Sequence, residues 1–160
     1  MVRAKAHAFS LVEMLVVTAI IAVLVLVAVP FTRGWNDEAS VAEAKSMFKR
    51  AVGKAQAVAL RNPLGHDESY PAAGVRFIRG VLIVCEGHPV SAGCSDGGSA
   101  MLWREALPEG VDLKVNDAAW THLAVNNRGR LINNSGAVQV IRYSLSRGDV
   151  NDNDATNELY

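Results

Sequence analysis

Residues 9–30 read FSLVEMLVVTAIIAVLVLVAVP, an apolar run from Phe9 to Val29 closed by Pro30 and interrupted by a single acid, Glu13. As a helix the run rises roughly 31 Å at about 1.5 Å per residue, the thickness of a bilayer hydrocarbon core. The expectation is therefore one transmembrane crossing. A carboxylate within such a span costs a few kcal/mol unless a partner neutralises it, so Glu13 requires an explanation. A secretory signal would place small residues after the apolar core. Here Ala6 and Ala8 precede it.

The order Ala8-Phe9-Ser10-Leu11-Val12-Glu13 resembles the type III signal of type IV prepilins and pseudopilins. In that family a prepilin peptidase cuts before the Phe, which is Ala8/Phe9 here, and methylates the new amino terminus. Ala8 stands where the family usually has Gly. Pro30 sits where the family has a proline late in its hydrophobic helix; proline removes one helical hydrogen bond and favours a kink. The resemblance gives Glu13 a partner, the amine created at Phe9 of a neighbouring subunit. In a low-dielectric filament core such a pair far outweighs a surface ion pair, and an unmatched charge is penalised, so pairing selects the assembled register. Glu13 and Pro30 are the residues assigned to assembly.

Arg3 and Lys5 before the span, with none inside it, favour an amino terminus in the cytoplasm. The expected topology is a single pass through the inner membrane with a periplasmic globular domain, followed by transfer to a pilus or pseudopilus. Of 16 basic residues, loss of these two with the leader leaves 14 against 16 acidic side chains, so no global basic bias points to a polyanion. An oxidising compartment allows Cys85 and Cys94 to pair, for roughly 2.5 to 3 kcal/mol by loop entropy. His66 and His88 lie nearby in sequence but form no metal-ligand spacing, and neither a metal nor a cofactor is expected.

From Asp37 to Arg61, Val41, Ala44, Phe48, Val52, Ala55 and Val58 recur every three or four residues between charges. That spacing predicts an amphipathic helix, weakened at Pro30 to Asn36 and stopped by Asn62-Pro63 and Gly65. GVRFIRGVLIVC over Gly74 to Cys85 predicts a hairpin turning at Arg79-Gly80. Further strands are expected at Val111–Val115, Trp120–Val125, Arg130–Ile132 and Ala137–Leu145, separated by turns at 116–117, 127–129 and 134–136. The fold class is then α+β and pilin-like, a long helix with a transmembrane first half packed on a carboxyl-terminal antiparallel sheet. Its parts are a leader (1–8), a transmembrane and filament-core helix (9–30), its amphipathic continuation (31–62) and a β-rich globular domain (63–160).

Within that class, VLIVC ending at Cys85, the second cysteine Cys94, Trp103 and NNRGRL at Asn126 to Leu131 look like the GspH/FimT branch, whose members are minor subunits at or near filament tips. The resemblance implies a minor type IV pilin, with a type II secretion pseudopilin or a DNA-binding pilin of a competence pilus as alternatives. Its implied partners are other pilins, the prepilin peptidase, the inner-membrane assembly platform and membrane lipid. Arg128 and Arg130 are the candidates for DNA contact, opposed by the acids from Asp149 to Glu158. Asp149, Asn151 and Asn153 open like a calcium loop, although Asp154 occupies its glycine position. No nucleophile elbow, phosphate loop or triad occurs, and no enzymatic activity is expected.

Overall fold

The computed structural model describes residues 10–154 and 157–160, the side chains of 27–33 apart; Ala8 and Phe9, with the processing site between them, lie outside this range. One helix, α1, covers Leu11–Arg61 over 51 residues. It starts at Ser10, whose carbonyl accepts the first helical hydrogen bond from the Met14 N–H at 3.2 Å. It stops where the sequence says it should. Asn62 takes a left-handed φ of 43°, its side chain brackets His66 by donating to the His66 carbonyl at 2.8 Å and accepting the His66 N–H at 2.9 Å, and Pro63 follows. The helix assignment runs through Pro30 and Gly34 without a break.

The chain divides into two compact units, Met1–Asn36 and Asp37–Tyr160. In the first, apolar side chains project to solvent on every side, with Leu11 82% and Leu26 76% exposed. Among the described residues, however, no helix is long and apolar enough to cross a membrane. The transmembrane first half of the pilin-like α+β fold is corrected accordingly. The single-pass inner-membrane placement and the periplasmic position of the globular domain rest on that span and are corrected with it.

In the second unit the stripe Val41, Ala44, Phe48, Val52 and Ala55 is buried, its alanines letting backbone and sheet approach closely. Nine strands follow among the described residues, all paired antiparallel where they meet. The first sheet contains β1 (Ala73–Ile78), β2 (Val81–Glu86), β3 (Met101–Ala106), β5 (His122–Val125) and β6 (Leu131–Ile132) in the order β3-β2-β1-β5-β6. The second contains β4 (Asp112–Val115), β7 (Ile141–Arg147) and β8 (Val150–Asp152) in the order β4-β7-β8, with β9 (Glu158–Leu159) also on β7. The β1–β2 hairpin turns at Arg79 and Gly80, both with positive φ, as a two-residue hairpin loop demands.

Two sheets replace the single expected one. The segment 137–140 is not the start of a long strand; Gln139 N–H donates back to the Leu131 carbonyl at 2.9 Å and Val138 bridges Ile132, after which the chain passes to the second sheet at Ile141. Phe48 joins the layers. Its ring meets Trp120, beside β5, edge-on at 5.5 Å and Tyr143 of β7 at 5.1 Å, while Trp120 stacks on Phe77 of β1 at 5.2 Å. Edge-to-face pairs of this kind add about 0.5–1.5 kcal/mol each beyond their buried area.

Candidate functional site

At the start of the described residues, Ser10 and the candidate Glu13 cap α1 reciprocally. Ser10 N–H donates to Glu13 Oε2 at 3.3 Å, and Val12 N–H donates to Ser10 Oγ at 3.3 Å. Ser-x-x-Glu is a capping-box pattern, and it satisfies two of the N–H groups that a helix start leaves without partners. The pattern is visible in the sequence.

Beyond this cap the helix from Leu11 to Leu26 turns apolar side chains to solvent. Thr18 turns its hydroxyl inward to the carbonyls of Met14 and Leu15, both at 3.0 Å, so the one hydroxyl in the run is already satisfied. The small side chain of Ala19 opens a shallow groove of about 380 Å³ walled by Leu15, Ile20, Val23 and Leu24. A helix apolar on all sides is stable in water only when something covers it.

Cys85 and Cys94 form a disulfide, their Cα atoms 5.6 Å apart. With Ile83 they make a small satellite core under the loop. The loop is pinned twice more. Arg76 Nη1 donates to the Cys94 carbonyl at 2.6 Å, and Pro89 lies so close over Gly74 that a Cβ there would sit 2.7 Å from the proline ring. His88, on this loop, faces Tyr70 and His122 with ring centroids 5.9 and 6.5 Å away. Burial, and then the neighbouring His122, hold the His88 imidazole below its ordinary pKa, which keeps it neutral at pH 7.

The arginines towards the carboxyl terminus, the DNA-contact candidates Arg128 and Arg130 among them, lie among acids. Arg128 pairs with Glu68, Arg142 Nε with Glu158 Oε1 at 3.0 Å, and Arg147 Nε with Asp37 Oδ1 at 3.0 Å. Arg142, followed by Tyr160, holds the Glu158 carboxyl below its usual range. Arg130 is exposed, its backbone N–H donating to Asn126 Oδ1 at 3.0 Å. Of the two candidates, Arg128 is thus engaged by an acid and Arg130 faces solvent.

The carboxyl-terminal segment is a pair of short strands. Asn151 lies in β8 opposite Ser146, Asp149 in the turn before it and Asn153 just after it. The acid between them is committed elsewhere. Asp152 Oδ2 receives Lys45 Nζ at 2.9 Å, and its Oδ1 accepts from the buried Asn157 at 3.0 Å. Burial pushes the Asp152 carboxyl up, but the Lys45 and Asn157 hydrogen bonds outweigh it and the net shift is downward; Lys45 is raised, chiefly by its hydrogen bond to Asp152. Among the described residues no group of three or more His, Cys, Asp or Glu side chains is placed to hold a metal ion. Sequence reasoning missed Lys45 in this role, since a contact across more than a hundred residues leaves no local signature.

The family model of the prokaryotic N-terminal methylation motif matches residues 3–29. The chain therefore carries an amino-terminal prepilin-type methylation motif. No curated protein and no solved structure matches the chain.

Proposed function

We propose that this chain is a minor pilin or pseudopilin of the GspH/FimT kind, cut between Ala8 and Phe9, methylated at Phe9 and built into a hetero-oligomeric filament. The observation that carries the reading is the helix from Leu11 to Leu26, apolar and exposed on every side, with one acid, Glu13, in its first turn. Such a surface requires cover, and helices of neighbouring subunits supply it without any bilayer. Their packing makes the low-dielectric surroundings in which Glu13 gains most from a neighbour's Phe9 amine. The partners are other pilins, the prepilin peptidase and the assembly machinery. The role is mechanical rather than enzymatic, the globular unit supplying contacts to adjacent subunits.

The test is Glu13→Ala in a host that assembles the filament. Mass spectrometry should find the variant beginning at methylated Phe9, while its abundance in sheared filaments falls at least tenfold. Incorporation at the unmodified level overturns the assembly role of Glu13, and a protein that still begins at Met1 overturns the class.

A further inference from the structure

His88 sits where three segments meet. Its ring faces Tyr70, on the connection after α1, and His122 of β5, with centroids 5.9 and 6.5 Å away. Within its own loop the Val90 N–H donates to His88 Nδ1 at 3.3 Å, and the Ser91 N–H to the His88 carbonyl at 3.0 Å. A main-chain amide only donates, so the Val90 bond requires an Nδ1 that carries no proton. The imidazole is thereby held neutral with its proton on Nε2, and a second proton would set donor against donor. The titratable and charged groups around it come from every packed segment. The connection after α1 contributes His66, ring to ring with Tyr70 at 4.5 Å, Asp67, engaged by the Ser69 N–H and hydroxyl at 2.9 and 2.7 Å, and Glu68, paired with Arg128. From β1 comes Arg76, across from His122 in register and bonded through Nη1 to the Cys94 carbonyl, and β2 ends in Glu86. Burial and His122 both oppose a charge on His88.

We propose that His88 is an acid-sensitive latch on the lip of the disulfide-closed loop: neutral, it holds Val90 and Ser91 down, and protonated, it lets them go. The latch is independent of the filament reading above. The disulfide, Pro89 over Gly74 and the Arg76 bond to the Cys94 carbonyl hold the rest of the loop, so release is confined to the lip, where Val90 and the neighbouring Tyr70 are exposed. The sign follows from the two states. In the released lip His88 has an ordinary imidazole pKa near 6.5, and in the closed lip a lower one. Closure is fully present above about pH 6.5 and is lost as the pH falls through the closed-state value, the closed-to-open ratio dropping by at most about tenfold per pH unit. The surface offered by this end of the globular unit then changes with acidity in the range where histidine is the natural switch.

The test is made by NMR on the full chain in nonionic detergent, between about pH 7.5 and about pH 5. It reads the protonation state of the two His88 nitrogens and the hydrogen-exchange protection factors of the Val90 and Ser91 amides, with the Val84 amide of β2 as the control for global unfolding. His88 Nδ1 should be unprotonated at the upper end, His88 should titrate below the ordinary imidazole value, and protection at Val90 and Ser91 should fall about fivefold or more while Val84 holds. His88→Asn replaces the imidazole by an amide oxygen able to accept the N–H two residues on, with no group that titrates. In this variant the lip should stay protected at both ends of the range. Equal lip protection at the two ends in the unmodified chain refutes the latch, as does a His88 that titrates at or above the ordinary value. Loss of protection at Val84 in step with the lip refutes it too, and so does a His88→Asn chain that keeps the pH dependence of the unmodified one.

Discussion

Gly74 and Lys45 show how far single residues reach in this fold. An alanine at Gly74 would drive its Cβ to 2.6 Å from the Leu123 carbonyl oxygen and 2.7 Å from Pro89. Both neighbours are stiff, one being backbone and the other a ring in a disulfide-closed loop, so Gly74→Ala should destabilise by about 1–3 kcal/mol, measured by urea denaturation. Lys45 and Asp152 form a partly shielded pair, their side chains 28% and 23% exposed, with a contribution of about 1 kcal/mol. Its pH dependence has a definite sign. The Asp152 carboxyl is depressed on folding, so its share is present above the unfolded value near pH 4 and disappears as the pH falls through the folded one. The Lys45 amine is raised, so its share holds below about pH 10.4 and disappears as the pH rises through the folded value. Lys45→Met should therefore flatten the stability profile at both edges of that window and speed hydrogen exchange at Val150 to Asp152.

At the level of elements, local chemistry was read well and long-range pairing was not. The stripe from Val41 to Val58, the stop at Asn62-Pro63 and the turn at Arg79-Gly80 are all dictated within a few residues, and each lies where the sequence places it. The strand β3 was not foreseen because MLWREA carries two charges and no residue of it is fully buried; it is an edge strand whose Arg104 and Glu105 pair with Asp96 and Arg50. The Asp- and Asn-rich tail carries no packing pattern of its own, yet Asp152 in it is held by Lys45 and the buried Asn157. The candidate site follows the same rule. Ser10 and Glu13 are local and legible as a capping box, whereas the pairing of Arg128 with Glu68 joins residues sixty positions apart and has no local signature. For the loop between Cys85 and Cys94, the Cys85→Ser, Cys94→Ser double variant should cost roughly 2.5–3 kcal/mol and leave the sheet intact, since the satellite core under the loop is separate from the main one; thermal melting of the two forms measures it.

For the whole molecule, the decisive asymmetry is between a globular unit that buries its own apolar surface and a helical segment that does not. All residues of the main core lie between Val41 and Leu159. Residues 37–160 produced alone should fold and remain monomeric, whereas the chain from Phe9 should self-associate through its uncovered helix; sedimentation velocity distinguishes the two. The span that the sequence suggested for that helix was an inference from its run of apolar residues, and apolarity alone does not say whether lipid or protein provides the cover. The disulfide carries one more implication, for a polymer under tension. Cys85 and Cys94 are nine positions apart, and a covalent shortcut diverts the pulling force around everything between them. When the globular unit is stretched on an atomic force microscope, the released contour should be about 2.5 nm shorter oxidised than reduced, at about 3.4 Å per residue less the 5.6 Å that the bridge itself spans. His88 and its ring neighbours ride on this shielded arc, so the strand ends beside it can give way under load while the arc itself stays slack.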